Sequence, residues 1–162
     1  IYATYAGQGI AADAHHIAQP EPEGRGVILA MNRALADADL STKDIFHVSA
    51  HATSTPAGDV AEAKAIRKVL GADADHAPVT AVKGVAGHLL GGAGSLAAIG
   101  VILAIKDRLV PPVGNLQNLA DGVDVDVVMK APRELPAGDI AALTNSFGFG
   151  GHDIVLAFRN YS

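Results

Sequence analysis

His51, Lys83, His88 and the glycine-flanked Phe149 are the residues whose types and spacing could work on a carbonyl group. His51 opens the run HATSTPAGD, Lys83 and His88 bracket KGVAGH, and Phe149 lies in NSFGFGGH, from Asn145 to His152. An imidazole can donate a hydrogen bond to a carbonyl oxygen near neutral pH, and the hydroxyls of Thr53 and Thr55 can hold an amide-bearing ligand. Gly84 and Gly87 let the backbone between Lys83 and His88 fold closely, so that a partly buried amine can sit beside an imidazole. Gly148, Gly150 and Gly151 around Phe149 free backbone N–H groups of the kind that stabilise an oxyanion. Each motif also fits a structural use: His51 as a turn histidine, Lys83 as a solvated helix-entry lysine, FGFGG as a tight hairpin. No nucleophile accompanies them. The chain has no cysteine, and Ser49, Ser54 and Ser146 sit in no arrangement that would activate a hydroxyl. The motifs therefore read as part of an active site whose nucleophile lies elsewhere.

The elements that must position these groups alternate between strand and helix, the pattern of a layered α/β domain. IYATYAGQGIA opens as a strand, 13–26 is loop, and apolar residues at Ile28, Met31, Leu35 and Ala38 predict a helix from about Gly26 to Ala38. Ile45 to Ala50 is a short strand feeding directly into the first motif. Asp59 then begins a helical pattern that Gly71 ends after Leu70. Pro78 to Val82 reads as a third strand, followed by the second motif and an apolar helix to Ile105, closed off by Pro111 and Pro112. Val123 to Val128, Ile140 to Thr144 and His152 to Phe158 read as further strands. The His51 and Lys83 motifs thus fall at the carboxyl ends of strands, where α/β folds place ligands.

Composition limits the classes of function. A chain of 162 residues is the size of one domain, and 49% hydrophobic residues with only 4% aromatics imply a core of Ala, Val, Leu and Ile. A net charge of -5 without a basic run disfavours a nucleic-acid partner. The apolar segment from Leu89 to Ile105 is punctuated by glycine and flanked by His88 and Lys106, which suits a buried core helix better than a membrane span. GHLLGGAG lacks the spacing of a phosphate-binding loop, so no nucleotide is expected. The absence of cysteine fits a soluble, cytoplasmic protein. The start at Ile1, in a strand-like run, reads as a cut from something longer.

Taken in order, HATSTPAGD, KGVAGH and NSFGFGGH resemble the C-terminal half of a β-ketoacyl-acyl carrier protein synthase of the chain-elongating, synthase II-like kind. GQGIAADAHHIAQPEPEG and RLVPPVGNL resemble the same family, so the likeness covers nearly all of residues 1–162. It implies a thiolase-like half, a three-layer α/β/α arrangement with a five-stranded mixed sheet. It also implies a decarboxylative condensation of acyl groups with malonyl-acyl carrier protein in fatty acid elongation. The N-terminal half, with its cysteine nucleophile, would be a partner, as would the carrier protein; a homodimer is implied when complete. No cofactor is implied, because the phosphopantetheine arm travels on the carrier protein.

By the same resemblance, His51 and His88 would face the malonyl thioester oxygen, and Lys83 would hold its neighbours and tune the local field. Phe149 would lend its N–H to the oxyanion hole and gate acyl access with its ring, in the turn that includes Gly148 and Gly150. Thr53 and Thr55 would hold the pantetheine arm. Several positions depart from the family pattern. Ala97 stands where many members carry Glu, Ala52 and Ser54 replace glycines, and Asp153 replaces Asn. Arg25, Lys64, Arg67 and Lys68 are candidates for a basic patch that receives an acidic carrier protein. A polyketide ketosynthase, or a non-catalytic chain-length partner subunit, is the alternative. The isolated chain is expected to be inactive in condensation.

Overall fold

The computed structural model describes residues 1–161. Its centre is a mixed sheet of five strands, β1 (Thr4–Ala12), β2 (Ile45–Ser49), β3 (Val79–Thr80), β6 (Ala141–Gly148) and β7 (His152–Arg159), ordered β1-β7-β6-β2-β3. β2 runs parallel to both β3 and β6, while β7 is antiparallel to β6 and β1. A separate two-stranded sheet joins β4 (Leu109–Val110) to β5 (Arg133–Glu134).

Helices α1 (Arg25–Asp37) and α2 (Pro56–Leu70) cover one face of the central sheet and α4 (Ala93–Asp107) the other, giving three layers. This is the expected α/β/α arrangement with its five-stranded mixed sheet. Strand alternation produces it: Ala141 and Leu143 of β6 enter the core beneath α1 and α2, while Ala142 enters the core beneath α4. α1 buries Val27, Ala30, Met31, Ala34 and Leu35, one stripe at helical spacing, and starts within a residue of its predicted position. α2 opens with Pro56, whose missing N–H costs nothing at the first helical position, and stops at Gly71, whose φ of 58° few other residues adopt.

Other expectations change. The segment Val123 to Val128 is not a strand: it touches the sheet through one bridge between Val127 and Val79. The Val127 N–H turns back to the Val125 carbonyl, so the chain curls instead of continuing a ladder. The third strand shrinks to Val79–Thr80, because Lys83 begins a short helix, α3 (Lys83–Ala86), almost at once. The helix expected to be buried is buried on one face only. In α4, Ala97, Val101 and Ile105 pack on the sheet while Ile99 and Leu103 lie 53% and 42% exposed. With its lead-in from Leu90 it is also long and apolar enough to cross a membrane, by length and composition alone.

β1 crosses α1 at very short range. A Cβ on Gly9 would collide with the Ala30 carbonyl, and one on Gly7 would stand 2.6 Å from the Ala38 nitrogen. Because the obstacle is backbone, a side chain at Gly9 must push the strand and helix apart. Gly9→Ala is expected to destabilise the protein by about 2 kcal/mol or more, seen as a lower denaturation midpoint at unchanged slope; an unchanged midpoint would contradict the crossing.

Candidate active site

The three motifs meet along one edge of the sheet, because β2, β3 and β6 run in the same direction and end together. His51 follows β2 by two residues, Lys83 follows β3 by three, and Phe147 to Phe149 close β6. The rings of His51 and His88 stand edge to face with centroids 5.7 Å apart, and Phe147 packs on the other side of His51 at 5.3 Å. The Lys83 ammonium donates to the His51 carbonyl. The sequence-derived residues His51, His88 and Lys83 are thus one cluster.

A buried carboxylate beneath the cluster sets its geometry. Glu62, 4% exposed on α2, accepts the N–H of His51 at 2.8 Å and the Asn145 amide at 2.9 Å through Oε1. Its Oε2 accepts the N–H of Ala52 at 2.9 Å. Burial raises the Glu62 pKa, and the donated bonds from Ala52, Asn145 and His51 oppose that rise. One turn earlier, Asp59 lies against the backbone N–H groups of Thr55, Ser54 and Thr53; burial raises its pKa and those contacts oppose the rise. Lys83 is driven downward by burial and restored in part by Glu62 and Asp59. These are the carboxylates that act on Lys83. Ala97, where a Glu was implied, is 1% exposed on the sheet side of α4.

The two imidazoles of the cluster sit in different surroundings. Burial, then Lys83 and His88, lower the His51 pKa to about 4, so its ring is uncharged at neutral pH. His88, on an exposed loop, accepts the Leu90 N–H on Nδ1 at 3.1 Å, which leaves Nε2 to carry the proton as a donor. A second neutral histidine, His47, lies within β2, its Nδ1 on the Pro78 carbonyl at 2.9 Å; burial lowers its pKa to about 4 as well. It is far into the core and serves the sheet.

A cleft of about 240 Å³ opens beside the cluster, lined by His51, Thr53, Thr55, Gly148 and Phe149 among others. The hydroxyls of Thr53 and Thr55 face each other at 3.1 Å. Phe149 projects 80% exposed from a three-residue turn, Phe149 to Gly151, in which Gly150 and Gly151 adopt φ of 83° and 75°. Gly150 does not line the cleft: its N–H is spent on the Ile17 carbonyl at 2.8 Å, which pins the turn to the β1–α1 loop.

Sequence reasoning passed over Glu62, Asn145 and Phe147. The signal for Glu62 was present: a glutamate among Ala61, Ala63, Ala65 and Ile66 on the core face of a helix demands a partner. The basic patch, by contrast, is largely neutralised within the chain. Arg25 reaches Glu21 at 3.6 Å, Lys64 reaches Glu23 at 3.7 Å, and Arg67 is bound to Asp75 at 2.6 Å and close to Asp124 at 3.8 Å. Among the described residues, Lys68 is the one of the four candidates without such a pair.

Two outcomes follow from this geometry. Ala52 and Ser54 hold φ of 35° and 61°, where a Cβ is crowded, so Ala52→Gly and Ser54→Gly should each stabilise by about 1 kcal/mol in denaturant titrations. A loss of stability in both would contradict the loop conformation. His47 and His51 have folded pKa values near 4, below the ordinary 6.5. Their contribution to stability is complete above 6.5 and lost as the pH falls through about 4. Histidine NMR titrations should place both midpoints near 4, and midpoints at 6.5 would overturn the assignment.

Known proteins share this architecture. Residues 2–117 match the family described as Beta-ketoacyl synthase, C-terminal domain. The 3-oxoacyl-[acyl-carrier-protein] synthase 2 of Synechocystis sp. is 43% identical over 161 residues, covering 99% of this chain and 38% of that protein. The protein of the same name from Vibrio cholerae is 44% identical over 160 residues, covering 98% of this chain and 38% of that protein. A solved β-ketoacyl synthase from Burkholderia phymatum superposes with a TM-score of 0.86 at 33% identity, covering all of this chain (100%) and 38% of the other. A chain of the complex between a type II PKS acyl-carrier protein and its ketosynthase bound to the hexaketide gives 0.94 at 30% identity, covering 100% and 39%. The chain therefore spans about two-fifths of the length of the relatives it matches. Its thiolase-like fold, its clustered motifs and these likenesses place it in the β-ketoacyl synthase family, as the C-terminal domain.

Proposed function

We propose that the full-length protein is a 3-oxoacyl-[acyl-carrier-protein] synthase of the synthase II kind, and that this chain supplies its decarboxylation and oxyanion machinery. The observation that carries the reading is the edge-to-face pair of imidazoles, 5.7 Å apart, with the His51 peptide held by Glu62 and Lys83. Two imidazoles this close can both donate to one oxygen on which negative charge develops.

A cysteine thiolate from the N-terminal half would take the acyl group from its carrier thioester and release the pantetheine thiol. Malonyl-carrier protein then enters, its arm held by Thr53 and Thr55. The bond to its carboxylate breaks, carbon dioxide leaves, and the electron pair moves onto the thioester oxygen as an enolate. His51 and His88 bind that oxygen. The enolate carbon attacks the acyl-cysteine carbonyl, whose oxyanion is met by the Phe149 N–H, and collapse expels the cysteine thiolate. Lys83 stays a positioning group, since its ammonium is committed to the His51 carbonyl. No cofactor is required by this route, and a carrier-protein substrate fits a cytoplasmic setting.

The N-terminal half is the partner we assign to the outer stripe of α4, where Ile99 and Leu103 stand exposed. A homodimer completes the assembly. With three of the four candidate basic residues paired to carboxylates of this chain, we place the main docking surface for the carrier protein on the other half. Identities of 43% and 44% to the synthases, against 30% to the polyketide ketosynthase complex, favour fatty acid elongation. The presence of His51, Lys83 and His88 speaks against a non-catalytic partner subunit, which has no chemical need for them.

His51→Ala and His88→Ala in the full-length protein should each slow carbon dioxide release from malonyl-carrier protein by about two to three orders of magnitude. Acylation of the cysteine, followed by mass spectrometry, should stay close to wild type. Loss of acylation in both variants would move the histidines to nucleophile activation and overturn the reading.

A further inference from the structure

Two carboxyl groups join the β1–α1 loop to the turn that carries Phe149. β1 pairs with β7 so that Ala11 lies opposite Asp153 and Ala12 opposite His152, and Asp13 therefore leaves β1 beside the end of that turn. The Asp13 N–H donates to the Gly151 carbonyl at 2.8 Å, and its Oδ2 accepts the Glu21 N–H at 2.9 Å. The remaining oxygen, Oδ1 of Asp13, is buried without a donor, and so is Oδ2 of Asp153. Both point at one spot over Gly26 in the first turn of α1, where a Cβ would collide with each of them. Asp153 is 2% exposed, and the Asp13 side chain is its hydrogen-bonding neighbour.

Two ionised carboxylates so placed repel, and burial keeps water from screening them. One proton between them replaces that repulsion with a charge-assisted O–H···O bond. Among the described residues no Lys or Arg is paired with Asp13 or Asp153. The other titratable groups on the same cleft are Glu21 from the loop, His51 from the β2–α2 connection, and Asp59 and Glu62 from α2. Arg25, at the start of α1, is paired with Glu21, and its side chain is 80% exposed. His152, beside the turn, is exposed.

We propose that Asp13 and Asp153 share one proton and so clip the β1–α1 loop to the Phe149 turn, making the position of Phe149 at the cleft respond to pH. The two aspartates are positioning residues, acting through Phe149, and the clip does not depend on the reaction assigned to the cleft. Burial first, then the charge and hydrogen bond of Asp13, push the Asp153 carboxyl up from 3.8 to about 7. A folded value above the unfolded one means the clip contributes fully below 3.8 and is lost as the pH rises through about 7.

The full-length protein and its Asp153→Asn and Asp13→Asn variants provide the test. An asparagine at either position supplies a permanent N–H donor, so the bond persists without a titrating proton. As the pH is raised toward about 7, the wild-type folded-to-unfolded ratio should fall relative to either variant by about tenfold per pH unit. Above that pH the amides of Gly148, Gly150 and Gly151 should lose hydrogen-exchange protection in wild type alone. In carboxyl-carbon NMR of aspartate-labelled wild type, the Asp153 signal should move with a midpoint near 7, and Asp13→Asn should remove that midpoint. Parallel stability curves, or no Asp153 signal with that midpoint in wild type, would overturn the proposal. The wild-type spectrum decides the matter even if both variants fail to fold.

Discussion

Everything at the cleft depends on a carboxyl group that has been taken out of water. Glu62 is the acceptor for the backbone of His51 and Ala52 and for the Asn145 side chain, so one carboxylate ties the loop after β2 to the end of β6. Buried charge is costly unless its lone pairs are occupied, and here three N–H groups occupy them. The Lys83 ammonium acts on the same carboxylate and bonds the carbonyl of His51, so the histidine's peptide is held from both its N–H and its C=O. A ring carried on so constrained a peptide has little freedom to wander, and preorganised donors are what an oxyanion needs.

That arrangement is possible because the strands agree in direction. β2 and β3 are parallel, as are β2 and β6, so their carboxyl ends open on one side and three sequence-distant motifs emerge together. The antiparallel return of β7 then folds the Phe149 turn back over the same edge, and its pairing with β1 brings Asp13 beneath it. The hairpin is thus more than a connection. It is braced at Gly150 and Gly151 by backbone bonds to Ile17 and Asp13.

Much of this was legible because its signals are local. Helical spacing located α1 and α2, Gly71 marked the end of α2, whose start lies at Pro56 and not at Asp59, and the motifs themselves announced where the strands stop. The rest needed contacts between distant parts of the chain. Asn145 lies 83 residues from Glu62, and no window of sequence shows that one will meet the other. The run Val123 to Val128 has strand-like composition but turns back on itself at Val127, which alternation of residues cannot foretell. The helix α4 looked uniformly apolar, yet only one of its faces meets the sheet, since hydropathy records how greasy a helix is and not how many neighbours it has. Basic residues on α2 looked like a patch until Glu23, Asp75 and Asp124 arrived from elsewhere to pair with them.

Part of the interior is built from very small side chains: Ala30, Ala34, Ala65, Ala141, Ala142 and Ala157 are all inaccessible to solvent or nearly so, and Gly9 lets β1 lie directly on α1. That crossing has almost nothing left to truncate. Scanning this domain with alanine will therefore leave its tightest region unread, and the positions that hold the layers together will reveal themselves only when methyl groups are added. Sequence drift at this crossing is tolerant of no growth while already near the lower limit of size.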